Sequence, residues 1–424
     1  MAQPVTPPRG MRDFLPAEKA TRERALGIIR RSYTAHGFDE IETPVMEDIE
    51  RLHSGLGGDN EKLSFSVLKR ALGESDLELA AAAGDAQQLA DLGLRFDLTV
   101  PLARFYASHR GELPSVFRAI QIAPVWRAER PQKGRYRQFV QCDIDIIGEP
   151  SQLAEAEIIT ATLATLDELG LSGCTIRIND RRLLTAMLDL FGFAEAEHPQ
   201  VLITVDKLDK VGTGGVVAEL RERGATPAAV DALDAFFNRV TTMEFNPFGV
   251  RAITKALPAG IDEALIAELA ALAEVVDPAR LEFDAFLVRG MGYYTGTIFE
   301  IAHPDFSFSL GGGGRYDGMI GRFLGTDVAA CGFSIGFERI VDLLQSEVVG
   351  APDSLLLLHD ASATPAQLVG LKTQLVNSGT RVRLERRTKN TRAQLDRAAA
   401  AGFTSFAFVG PDTHADSDLD VKSI

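Results

Sequence analysis

The sequence predicts an α+β protein that closes with a small α/β domain, and three patterns predict it. Residues 117–148 alternate apolar and polar side chains with a period of two, the mark of half-buried strands. Residues from about 150 to 280 carry mainly helical patterning. Residues 355–409 run strand, helix, strand, helix, strand, an order that calls for a parallel sheet.

In chain order, residues 17–36 read as a helix with Leu26, Ile29 and Tyr33 on one stripe and Gly37 as its stop. Phe38–Glu42 reads as extended, ending at Pro44. The acidic, alanine-rich stretch 70–92, closed by Gly93, fits either a loop or a marginal helix. In the pair of strands that follows, Ile120, Ile122, Pro124 and Trp126 alternate with Gln121, Ala123, Val125 and Arg127. On the return, Val140, Cys142, Ile144 and Ile146 alternate with Gln141, Asp143 and Asp145. The turn between them holds Pro131 and Gly134. The helical region is broken by Gly212-Thr213-Gly214-Gly215. Extended segments return near 286–300 and 306–316, and Gly332–Gly336 leads into a helix with Phe337, Ile340, Val341 and Leu344 on one face. After a linker at 346–353, Pro365 stands at the first turn of a helix and Gly379 just past its end.

The chain has 424 residues, 46% of them hydrophobic, enough for large cores in two or three domains. No stretch approaches the ~20 apolar residues of a membrane span, and the N-terminus has no basic region followed by an apolar one, so a cytoplasmic protein is expected. Cys142, Cys174 and Cys331 are far apart, and the seven histidines have no metal-binding spacing. Neither a disulfide framework nor a protein-held metal is expected. A net charge of −15 argues against a protein that coats nucleic acid. Any contact with RNA would come from locally clustered Arg and Lys.

Several polar groups stand out. The segment Arg127–Arg137 holds five cations against one carboxylate. It is either a solvated hairpin tip or a polyphosphate clamp, since Arg forks bind phosphate oxygens in pairs and Lys serves as a point charge. Gln141, Asp143 and Asp145 share one face of a strand, which either meets water or floors a cleft. Arg289-Gly290-Met291-Gly292-Tyr293-Tyr294 sets paired tyrosines after an arginine, and Gly311–Gly314 before Arg315-Tyr316-Asp317 suggests a need for backbone freedom. The glycine run lacks the pattern of a phosphate-binding loop. Arg339 falls at the start of a helix, off its apolar stripe.

Taken in order, these segments resemble the histidyl-tRNA synthetase family. The matching pieces are Arg95-Phe96-Asp97-Leu98-Thr99-Val100-Pro101, the 127–149 hairpin with Gln141-Cys142-Asp143-Ile144-Asp145, Asn179-Asp180-Arg181-Arg182, and Val205-Asp206-Lys207-Leu208-Asp209-Lys210. Arg289–Thr295 and Gly332–Arg339 complete the set, which is similar to the eukaryotic-type sequences of that family. The resemblance implies a class II synthetase catalytic domain over 1–345, an antiparallel sheet flanked by helices with a mainly helical insertion at about 170–280. It also implies a short α/β anticodon-binding-like domain at 354–424.

Residue by residue, the resemblance implies that Asp97, Thr99 and Gln141 hold the α-ammonium of histidine, and that Asp145 and Tyr294 bracket its imidazole beside Tyr293. Arg127 and Arg289 would be the catalytic pair, meeting the histidine carboxylate and the α-phosphate of ATP. Glu129 would meet the adenine, and Arg135 and Arg339 the triphosphate, with Mg²⁺ arriving on the ATP. The partners implied are L-histidine, ATP, the histidine tRNA and a second copy of the chain. Two departures are Gly292, where the family usually has Asp, and a last domain expected to be short, with reduced anticodon contact. The rival is the regulatory subunit of ATP phosphoribosyltransferase, which shares the catalytic fold, lacks the last domain and tends to lose the ATP arginines. Here Arg127, Arg135, Arg289 and Arg339 are all present. A plain RNA-binding module is disfavoured by the acidic balance.

Overall fold

The computed structural model describes residues 5–53, 63–131, 135–240, 248–290, 292–306, 308–344, 353–413 and 415–424. It divides into two compact units, Met1–Arg12 with Ala25–Leu343, and Asp13–Arg24 with Leu344–Ile424. The linker expected at 346–353 and the turn residue Gly134 fall largely or wholly outside the described residues.

The strands, in chain order, are β1 Asp39–Glu40, β2 Met46–Asp48, β3 Phe65–Leu68, β4 Ala90–Leu94, β5 Phe117–Trp126, β6 Gln138–Ile147, β7 Thr175–Asp180, β8 Leu281–Phe283, β9 Thr297–Ala302, β10 Gly311–Arg315 and β11 Ala330–Ile335 in the first unit. The second unit holds β12 Ser354–His359, β13 Arg381–Arg386, β14 Ser405–Val409 and β15 Lys422–Ser423.

The first unit is organised by a sheet of order β1-β5-β6-β11-β10-β9-β7-β8. Its central pairs are antiparallel, and its two outer pairs, β1 with β5 and β7 with β8, are parallel. The hairpin β5–β6 forms as its alternation predicts, in register from Phe117 opposite Ile147 to Trp126 opposite Gln138. Polar residues of this hairpin are buried as well. Gln121 is buried, its amide donating to the Leu98 carbonyl at 3.0 Å, whereas Ile122, Pro124 and Trp126 stay half exposed. On the predicted apolar side only Ile120 is sealed, and burial along β5 follows neither side strictly.

The fold resolves one open reading and corrects three others. The ambiguous stretch after residue 70 contains a real helix, Glu74–Ala83, with the Asp76 carboxylate accepting from the Gly73 N–H at 2.9 Å and Gly84 left-handed at its end. Gly93 is not a stop but lies inside β4, where a Cβ would stand 2.8 Å from Leu52 and 2.9 Å from Ile49. The region from 170 begins with β7, in which Ile176 and Ile178 are buried and Asn179 donates to the Leu287 carbonyl. The helices Arg181–Phe191, His198–Val205, Leu208–Glu222 and Pro227–Val240 follow it around a core of Leu184, Val201, Val217, Leu233 and Phe237. Within the third of these, Gly212 takes φ 69° and kinks the chain where the glycine run suggested a break. Finally, residues 286–290 and 292–296 are loop rather than strand. That loop carries Arg289, Tyr293 and Tyr294.

Arg95 ties the approach to the sheet together. It is buried, and its guanidinium donates to the carbonyls of Thr43 at 2.7 Å, Pro44 at 3.2 Å and Pro124 at 3.0 Å. Backbone carbonyls buried at a loop end need such donors.

The second unit has the order β13-β12-β14-β15, with the first three strands parallel and β15 antiparallel. The run Leu355–Leu358 is central and buried on both faces, as parallel strands tend to be. Helix Pro365–Asn377 starts with Pro365 after the Thr364 cap, whose hydroxyl accepts from the Gln367 N–H at 3.3 Å. The βαβαβ order matches the sequence pattern, and β15 adds a strand that the pattern did not reveal.

Candidate active site

The face of the sheet formed by β6, β11, β10 and β9 floors a cavity of about 880 Å³. All eleven candidate residues line it: Asp97, Thr99, Arg127, Glu129, Arg135, Gln141, Asp145, Arg289, Tyr293, Tyr294 and Arg339. The polar side of β6 thus floors a cleft rather than facing bulk water, with Gln141, Asp143 and Asp145 all buried.

The floor is built by local structure. Asp97 stands just before helix Thr99–His109, and its Oδ1 accepts from the Val100 N–H at 3.2 Å. Its Oδ2 has no hydrogen-bond partner. On β6, the Gln141 amide donates to Ser334 at 3.1 Å and lies 3.3 Å from Asp143, while its Oε1 is left unpaired. The Tyr316 hydroxyl donates to Asp145 Oδ1 at 2.5 Å. Burial pushes Asp97 up to about 6 and Asp145 up to about 7, the second partly restrained by the Tyr316 hydrogen bond. Burial, and then the neighbouring Asp145, also raise Asp143 well above the carboxylate range. Three carboxyls in one dry floor favour a cation among them.

Glycines make the space. Gly332 is directly opposite Asp145 across β6 and β11, and Gly314 is opposite Gly332 on β10. A Cβ on Gly332 would lie 1.9 Å from Asp145 Oδ1. One on Gly312 would lie 2.7 Å from the Arg289 guanidinium carbon, and one on Gly314 2.8 Å from the Tyr294 ring. None of Gly311–Gly314 has a positive φ. Gly312 and Gly314 leave room for Arg289 and Tyr294, whereas a Cβ on Gly311 or Gly313 would strike the β11 backbone, 2.5 Å from the Ser334 carbonyl oxygen or 1.9 Å from that of Gly332. The backbone freedom suggested by the sequence is not their reason.

The upper part of the cavity is cationic. Arg127 Nε donates to the Phe96 carbonyl at 3.0 Å, and its guanidinium lies 5.0 Å from the Phe139 ring centroid. Arg135 is 3.8 Å from Glu129. Arg339 donates to the Ser309 carbonyl and packs 5.4 Å from the Phe308 ring. Burial first, then the like charges of Arg135 and Arg289, lower Arg339 from the usual arginine range. Arg289 Nη1 meets Glu300 at 3.0 Å, and its buried Nε has no partner. Burial alone would depress Arg289, but Tyr294, Glu300 and Asp206 overcome it and raise it. Guanidiniums that crowd one another around open space are arranged for a polyanion.

Sequence reasoning missed Glu300, Tyr316 and Asp206. Glu300 interrupts an apolar strand, Thr297-Ile298-Phe299-Glu300-Ile301, and that lone carboxylate was a usable signal. Tyr316 follows the glycine run directly. Asp206 lies in the segment Val205–Lys210, whose Asp209 and Lys210 line the same cavity. Gly292 is exposed, and a Cβ there would meet open space. Met291, Gln132, Lys133 and Gly134 lie outside the described residues.

An antiparallel-centred sheet flanked by helices, with a cation-roofed and carboxylate-floored cleft on one face, defines a class II aminoacyl-tRNA synthetase catalytic domain. The profile described as histidyl-tRNA synthetase matches residues 10–340. The whole chain is 64% identical to the histidine–tRNA ligase of Leifsonia xyli subsp. xyli (strain CTCB07), covering 99% of it. It is 45% identical to the probable histidine–tRNA ligase of Tropheryma whipplei (strain Twist) over 96% of each chain. Among solved structures, histidyl-tRNA synthetase from Nostoc sp. PCC 7120 superposes with TM-score 0.74 at 25% identity, over 100% of this chain and 95% of that one. An ATP phosphoribosyltransferase regulatory subunit/histidyl-tRNA synthetase from Bacillus halodurans C gives TM-score 0.72 at 22% identity, over 96% and 99%, a likeness of fold. The chain belongs to the histidyl-tRNA synthetase family. It is a ligase of protein synthesis and takes ATP as a substrate.

Proposed function

We propose that this cleft activates L-histidine with ATP, forming histidyl-adenylate and pyrophosphate, and then passes histidine to the 3′-terminal adenosine of its tRNA. One observation carries the reading. Three buried polar atoms in the cleft lack partners: Asp97 Oδ2 and Gln141 Oε1, both acceptors, and Arg289 Nε, a donor. An unpaired buried group is costly, and an amino acid supplies the ammonium and the carboxylate that would pair these.

Asp97, Thr99 and Gln141 take the α-ammonium, and Asp145 and Tyr294 take the two ring nitrogens with Tyr293 alongside. A ring with two distinct nitrogens needs two oriented partners. Such a pocket rejects apolar isosteres, because they would strand its polar groups. Arg127 and Arg289 hold the histidine carboxylate against the α-phosphate, Glu129 meets the adenine, and Arg135 and Arg339 take the remaining phosphates. The carboxylate is already a nucleophile at neutral pH. Its attack on the α-phosphorus needs alignment and charge neutralisation rather than a general base. Mg²⁺ enters on the phosphate oxygens.

The same reading includes a homodimer acting in the cytoplasm, a catalytic domain over 1–345 and an anticodon-contacting role for 354–424. No helix among the described residues is long and apolar enough to cross a membrane.

The test is histidine-dependent exchange of pyrophosphate into ATP, repeated with Arg289→Ala and Asp145→Ala. Arg289→Ala should suppress exchange, and Asp145→Ala should raise the KM for histidine far more than that for ATP. Histidine binding without any exchange in the unaltered protein would overturn the reading in favour of a regulatory histidine sensor.

A further inference from the structure

Arg289 sits on an irregular loop, and a long side chain there has many rotamers to lose. Its guanidinium is nevertheless fixed between specific neighbours. Arg177 of β7, Glu300 of β9 and Gly312 of β10 are directly in register across the sheet. The Arg289 guanidinium fills the space above Gly312, where a Cβ would lie 2.7 Å from it. There it reaches Glu300 Oε1 at 3.0 Å. The other oxygen, Glu300 Oε2, is 3.6 Å from Arg177. Arg177 is in turn anchored by Asp284 and lies 3.7 Å from Asp209.

We propose that Glu300 is the positioning residue for Arg289: braced by Arg177, its carboxylate holds the guanidinium so that the unpartnered Nε faces the reacting carboxylate and α-phosphate. The inference rests on the role given to Arg289 above. Glu300 sits between two guanidiniums, so it also keeps Arg177 and Arg289 from repelling each other. Loss of its charge would leave two like charges side by side, and Arg289 has the freer backbone and would move. Glu300 acts through Arg289 and does not itself touch the reacting atoms.

The experiment uses the full chain with Glu300→Gln, Glu300→Asp, Arg289→Ala and the double variant Arg289→Ala/Glu300→Gln. Pyrophosphate exchange, transfer from preformed histidyl-adenylate to tRNA, and thermal unfolding are measured for each. Glu300→Gln should lower kcat for exchange about 10- to 100-fold, the scale of a small misplacement of a catalytic group, with KM values little changed. Transfer from the preformed adenylate should be far less affected. Glu300→Asp keeps the charge and should recover part of the loss. In the Arg289→Ala background, Glu300→Gln should add less than about a further twofold, as expected when one residue acts only through another.

An undiminished effect of Glu300→Gln in that background overturns the inference alone. Recovery of Glu300→Gln by raised Mg²⁺ does the same, by making Glu300 a metal ligand. Intact exchange in Arg289→Ala would instead overturn the assignment of Arg289, and this inference with it. If Glu300→Gln fails to fold, a wild-type kcat in a folded Glu300→Asp, with its carboxylate drawn back from Arg289, would also count against the inference.

Discussion

Replacing Tyr316 by Phe removes one hydroxyl from the floor of the cleft and tests how Asp145 is tuned. That hydroxyl donates to Asp145 Oδ1 at 2.5 Å, and both residues are buried. A hydrogen bond to a charged group contributes about 1.5–3 kcal/mol, or about one to two pKa units. Asp145 already stands at about 7, so its midpoint in Tyr316→Phe should move to about 8–9. At neutral pH the carboxyl would then be mostly protonated. If its charged form is what holds the imidazole N–H, the KM for histidine should rise about 5- to 50-fold near pH 7, where the unaltered carboxyl is already half ionised. The penalty should shrink as pH climbs toward the new midpoint. Pyrophosphate exchange measured against histidine concentration across this pH range reads both effects, with ATP held saturating. An unchanged histidine KM and pH profile, or an equal rise in the KM for ATP, would refute the reasoning.

Three further outcomes follow from the same geometry. Gly312→Ala places a Cβ 2.7 Å from both the Arg289 guanidinium carbon and the Phe299 carbonyl oxygen; overpacking should lower stability by about 1–3 kcal/mol and displace Arg289, so an unchanged kcat for exchange would count against the crowding argument. Arg95→Ala strips donors from the buried carbonyls of Thr43, Pro44 and Pro124. It should lower the unfolding free energy by about 3–5 kcal/mol in urea titrations, and a loss below about 1 kcal/mol would contradict that role. Asp145 has a folded pKa of about 7 against an ordinary value of 3.8. Its stabilising contribution is therefore full below the ordinary value and is lost as pH rises through about 7. Ligand-free Asp145→Asn should accordingly gain stability relative to the unaltered protein between pH 4 and pH 8, by roughly 4 kcal/mol at the upper end. Parallel melting curves across that range would contradict it.

The chain order alone determined much of this protein. The alternation of Gln141, Asp143 and Asp145 with Val140, Cys142 and Ile144 specified one polar face on β6, and the cations of Arg127–Arg137 marked the segment beside it. Likewise, Pro365, Gly379 and the apolar run Leu355–Leu358 specified the α/β arrangement of the second unit. These signals are local, because side-chain periodicity and turn chemistry act over a few residues.

Tertiary structure decided the rest. Whether the β6 polar face met water or floored a cleft depended on what covers the sheet, which no strand encodes by itself. Register decided which residues became neighbours: Gly332 opposite Asp145, Gly314 opposite Gly332, and the row Arg177–Glu300–Gly312. Those pairings explain why Gly312 and Gly314 carry no side chains, and they bring in Tyr316 and Glu300, which the linear pattern passed over. Partners such as Asp145 and Tyr316 are 171 residues apart. They meet through the whole sheet's hydrogen bonding and packing, a cooperative property that a window of sequence does not contain.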